Sequence, residues 1–103
     1  MKNQVESVVY DSVKSGELAG SATAAQMPDI PCKRVMFIAM VANPTNVYIG
    51  GPGVTVPDAS TDTTSGIPLD AGDASPWFPV NNLNRFYYIG DSADDEILYL
   101  ALA

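Results

Sequence analysis

A chain of 103 residues with a hydrophobic fraction of 47% is long enough for one packed domain and too apolar for a disordered segment. Its formal net charge of −7 is unevenly placed: residues 1 to 34 balance Lys2, Lys14, Lys33 and Arg34 against four acids, whereas residues 35 to 103 hold eight acids and one base, Arg85. Such a surface disfavours nucleic acid and anionic membranes, and the absence of histidine removes imidazole-based catalysis and most zinc and iron sites.

Asn3 to Val13 is the best helix candidate, because Val5, Val8, Val9 and Ser12 fall near helical spacing, yet its valines suit an extended arm equally well. Gly16 to Pro31 is rich in small residues and reads either as one extended strand or as a linker. Residues 1 to 31 are therefore expected to form an amino-terminal arm, and residues 32 to 103 the folded domain. Arg34 to Ala42 has the near-continuous apolar character of a strand covered on both faces. Asn43-Pro44-Thr45-Asn46 suits a tight turn and Val47-Tyr48-Ile49 returns, so this stretch is expected to be a hairpin.

Gly50 to Gly66 lacks periodicity and reads as a long surface loop, followed by a short strand at Gly66 to Leu69. Ser75 to Val80 holds two prolines, which confines it to a sheet edge or a bulge. Asn81 to Asn84 is a turn, and Arg85 to Ile89 with Glu96 to Leu102 is expected to be a terminal hairpin. In its last strand Ile97, Tyr99 and Ala101 alternate with Leu98, Leu100 and Leu102, so both faces are apolar: one meets the core and the other a neighbour. Six to eight short strands at this spacing predict an all-β fold, a small antiparallel β-sandwich or jelly-roll-like barrel with an extended amino-terminal arm.

The candidates for chemistry are few. Gly50-Gly51-Pro52-Gly53 is followed by the extended Val54-Thr55-Val56-Pro57 and by no lysine, so it reads as a turn and not as a phosphate cradle. Cys32 beside Lys33 has no adjacent base and reads as a structural thiol. Asp91, Asp94, Asp95 and Glu96 crowd one turn without EF-hand spacing, and read as a solvated acidic tip. No catalytic, cofactor-binding or metal-binding residues are expected, and an enzyme is not. The longest apolar run, Val35 to Ala42, is too short for a bilayer span of roughly 20 residues. A lone cysteine and no signal-like opening segment imply a soluble protein made in a reducing compartment.

From Cys32 onward the residues carry an ordered set of short motifs. A basic-led hydrophobic strand (Lys33-Arg34 onward) precedes Asn46-Val47-Tyr48-Ile49-Gly50-Gly51, then Gly66-Ile67-Pro68-Leu69 with Gly72, then Val80-Asn81-Asn82-Leu83-Asn84-Arg85-Phe86-Tyr87-Tyr88-Ile89-Gly90, then a closing hydrophobic strand. In order and spacing this resembles a group of small virion proteins of tailed bacteriophages, over roughly 70% of the chain. The resemblance implies a β-sandwich on the outer surface of the phage head, made in the host cytoplasm, that decorates and cements the capsid. It also implies self-association as a homotrimer bridging major capsid proteins. The chain departs from that theme in its loop from Gly50 to Gly66 and in Pro76-Trp77-Phe78-Pro79.

On this reading Val5, Val8, Val9 and Tyr10 are candidates for contacts with the capsid lattice, and Trp77, Phe78, Leu98 and Leu100 for contacts between subunits. Two other roles fit the same residues. One is a host-glycan-binding adhesin module that uses the Trp77 region or the acidic loops, with or without calcium. The other is a head-tail connector or tail component.

Overall fold

The computed structural model describes residues 9–103. The helix candidate and two of the proposed contact residues, Val5 and Val8, therefore fall wholly or largely outside the described residues. Eight strands follow one another: β1 (Val13–Leu18), β2 (Ala25–Gln26), β3 (Arg34–Ala39), β4 (Val47–Gly50), β5 (Ile67–Leu69), β6 (Phe78–Pro79), β7 (Tyr87–Gly90) and β8 (Ile97–Leu102). One short 3-10 turn, Leu83–Arg85, precedes β7. The strands form two four-stranded antiparallel sheets, ordered β1-β8-β3-β6 and β2-β7-β4-β5. The fold is all-β and sandwich-like.

Alternation along the strands builds the core. Val35, Phe37 and Ala39 of β3 and Ile97 and Ala101 of β8 turn inward, and meet Val47 and Ile49 of β4, Leu69 of β5 and Tyr88 of β7. Met27, Cys32 and Leu83, from the connections, seal one side of this cluster. The rings of Phe37, Phe78 and Phe86 pack together with centroids 5.1 to 6.1 Å apart, a separation at which tilted and edge-to-face aromatic pairs attract.

Neither expected hairpin forms. β3 pairs with β6 and β8, whereas β4 pairs with β5 and β7, so Asn43 to Asn46 carries the chain from one sheet to the other. Likewise β7 and β8 lie in different sheets, and residues 91–96 cross between them. The apolar runs on either side of each turn are rich enough to face a shared core from opposite layers, and that arrangement buries more than a two-stranded ribbon does.

Part of the segment expected to be an arm lies in the sheets, as β1 and β2. β1 pairs along all six of its residues with β8, from Val13 opposite Leu102 to Leu18 opposite Ile97, and β2 pairs with β7. Just before β1, the backbone N–H groups of Asp11 and Ser12 donate to the carbonyl of Ala103. β8 is an interior strand whose backbone groups need partners on both sides, and β1 supplies one of them. The short strand expected at Gly66 to Leu69 forms as β5, and the edge position expected for the proline-flanked Phe78 holds, since β6 is an outer strand of its sheet. Gly53 has φ +73°, and the Val54 N–H donates to the Gly51 carbonyl at 3.1 Å, so this cluster is a turn into the loop.

Candidate functional site

The surface most in need of explanation is the outer face of β1, β8 and β3. Because side chains alternate, the residues opposite the core on these strands form rows across the sheet. Met36, Leu100 and Ser15 make one row, Ile38, Leu98 and Glu17 the next, and Arg34, Leu102 and Val13 the third. The first two rows line an apolar groove of about 360 Å³. β1 is the terminal strand of its sheet among the described residues, and on it only Val13, 66% exposed, extends the apolar face, Ser15 and Glu17 being polar. The alternation in Glu96 to Leu102 was legible in the sequence, with Ile97 and Ala101 buried and Leu98, Leu100 and Leu102 turned outward.

The proposed contact residues separate in space. Leu98 and Leu100 sit together in the groove. Trp77 stands just before edge strand β6 and is 41% exposed. Phe78 points the other way: its ring is committed to the aromatic cluster with Phe37 and Phe86, so it is a packing residue. Val9 is exposed and Tyr10 half-buried, both ahead of β1.

The acidic turn differs from its sequence reading. Asp95 is fully buried, and its carboxylate accepts from the Thr45 N–H at 2.9 Å, from the Thr45 hydroxyl and from the Ser92 N–H at 2.9 Å. Asn43 bridges to Glu96 by two amide-backbone hydrogen bonds of 2.8 Å, and the Tyr48 hydroxyl donates to Asp91 at 3.1 Å. These bonds lace together the two segments that cross between the sheets. Asp95 is thus a structural clamp and not a solvated tip, which spacing alone gave no means of detecting. Burial, helped by the Asp91 hydrogen bond, raises the Tyr48 pKa above its ordinary 10.0.

Cys32 is buried, its thiol directed at the Val80 carbonyl at 3.4 Å, and burial raises its pKa above 9.0. A thiol held protonated in this way is a poor nucleophile. Among the described residues no group of three or more Asp, Glu, Cys or His side chains is placed to hold a metal ion.

A second concavity, of about 570 Å³, lies at the outer side of the other sheet, where Gln26 of β2 and Tyr87 of β7 stand opposite each other beside the 3-10 turn. Asn81, Asn82, Asn84, Arg85 and Pro52 complete it. The Asn82 side chain builds its frame. Its Oδ1 accepts from the N–H groups of Asn84 and Ile30, and its Nδ2 donates to Asp29 at 2.7 Å. No family model, curated protein or solved structure matches the chain.

Proposed function

We propose that this chain is a structural, non-enzymatic virion protein that decorates and cements the head of a tailed bacteriophage. It binds the outer surface of the capsid, bridges major capsid proteins, and associates with its own copies as a homotrimer. The observation that carries the reading is the apolar outer face of β1, β8 and β3, where Leu98, Leu100, Met36 and Ile38 line a groove instead of packing in the core. A small domain that leaves such a patch uncovered gains free energy by burying it against a partner. The motif resemblance from Cys32 onward supplies the identity of that partner, and several copies joined in a trimer multiply modest contacts through effective concentration.

The test uses heads assembled with and without the protein. Decorated heads are expected to melt at higher temperature and to retain DNA longer on heating, and Leu98→Asp or Leu100→Asp protein is expected to leave heads undecorated. Equal melting and DNA retention of the two kinds of head would overturn the cementing role. Full decoration by both aspartate variants would remove the groove from it.

A further inference from the structure

The concavity beside the 3-10 turn has a composition unlike the rest of the molecule. None of the residues lining it is acidic, in a chain with 12 acids, and it contains Arg85, the only base between residues 35 and 103. Asp29 is not among the lining residues and accepts a hydrogen bond from the Asn82 Nδ2 at 2.7 Å.

Internal bonds leave complementary groups toward the opening. Arg85 directs Nε at the Asn81 Oδ1 at 3.4 Å, which leaves its two terminal nitrogens for a ligand. Gln26 uses Nε2 on the Asn84 carbonyl at 2.9 Å, which leaves its carbonyl oxygen as an acceptor. Among the described residues, the Asn81 Nδ2, the Asn84 side-chain amide and the Tyr87 hydroxyl make no other hydrogen bond to protein. One cation able to grip a carboxylate by two bonds is therefore surrounded by amides and a phenol that both donate and accept. The Tyr87 ring and Pro52 offer apolar surface for carbon-bound hydrogens. A volume of about 570 Å³ accommodates a molecule of one or two rings.

We propose that this cleft binds a terminal acidic sugar, whose carboxylate pairs with Arg85 and whose hydroxyls meet Gln26, Asn81, Asn84 and Tyr87. Many hydroxyls that each donate and accept match a ring of side-chain amides, and a single carboxylate matches a single guanidinium. The cleft and the apolar groove lie on the outer sides of opposite sheets, so a molecule docked through one sheet keeps the other available. The inference does not depend on the capsid reading, and either stands if the other fails.

The experiment is an amide NMR titration of the isotopically labelled full chain with sodium glucuronate, N-acetylneuraminate, glucose and N-acetylglutamate in turn. Both acidic sugars are expected to shift the amides of Gln26, Asn84 and Tyr87 saturably, with half-saturation on the order of 1 mM. Glucose and N-acetylglutamate are expected to bind about tenfold more weakly, since each lacks one of the two recognised features. Arg85→Gln, at an exposed position, is expected to weaken glucuronate about tenfold with an unchanged melting temperature, and Tyr87→Phe to weaken it less. Absence of saturable shifts at about 50 mM glucuronate and N-acetylneuraminate would overturn the proposal. So would glucose binding as well as glucuronate, unaltered binding by Arg85→Gln, or N-acetylglutamate equalling the sugars, which would indicate a peptide carboxylate site.

Discussion

The crossing between β7 and β8 holds a fully buried aspartate, Asp95, while the outer face of the sandwich carries leucines and a valine. Both invert the usual partition of polar and apolar residues, and they do so for different reasons. Asp95 stays inside because three donors from two crossing segments converge on its carboxylate, so its desolvation is offset and the crossings are held together. Leu98 and Leu100 stay outside because the alternation that buries Ile97 and Ala101 leaves them no other direction. The buried acid has its partners within the chain; the outer leucines are left half-covered by the described residues.

Substitutions at the two regions should separate these cases. Asp95→Ala removes the acceptor of three hydrogen bonds, from the Thr45 N–H and hydroxyl and the Ser92 N–H, and is expected to cost about 3 kcal/mol, read as a lowered denaturation midpoint. A loss below about 1 kcal/mol would mean that water replaces the carboxylate and that the lacing contributes little. Gly20 touches the same turn: a Cβ there would lie 2.1 Å from the Ala93 carbonyl oxygen. Gly20→Ala is expected to cost roughly 1–3 kcal/mol by forcing that backbone apart, measured in the same way.

At the outer face the order of effects reverses between stability and association. Leu98→Ser removes apolar surface that is only partly covered, and should cost about 1 kcal/mol or less by thermal melting. It should nevertheless reduce binding to heads, and a larger loss of stability would assign Leu98 to the core.

The smallest effect concerns pH. Cys32, Tyr48 and Tyr88 all have pKa values raised by burial. The folded state therefore keeps these protons longer than the unfolded state does. The stability they contribute is whole below the ordinary values of 9.0 for the thiol and 10.0 for the phenols, and is lost as pH rises through the folded-state values. Melting temperature should thus decline on the alkaline side above about pH 9, and Tyr88→Phe should shallow that decline. An equally steep decline in the variant would remove Tyr88 as a contributor.

Much of the strand inventory was legible because its signal is local. Alternation in Glu96 to Leu102 gave the inner and outer faces of β8, and prolines at 76 and 79 confined β6 to an edge. The apolar groove was half legible: Leu98 and Leu100 stood out, but Met36 and Ile38 read as part of a strand covered on both faces. Phe78, a candidate for a subunit contact, has its ring in the aromatic cluster, and a Trp-Phe pair between prolines does not say which ring turns in. The amide cleft was not legible, because Gln26 lies far from Asn81 to Tyr87 in the chain and meets them only through the pairing of β2 with β7.

By itself the sequence determined an acidic, histidine-free, all-β domain and which residues of each strand share a face, because charge is additive and alternation has a period of two residues. Only the tertiary structure decided that Asn43 to Asn46 and residues 91–96 cross between sheets and that β1 flanks β8. A turn sequence sets a change of direction, not the partner strand. The partner is chosen by which arrangement buries the most apolar surface while pairing every interior backbone group, and that comparison involves residues more than 80 positions apart, such as Val13 and Leu102.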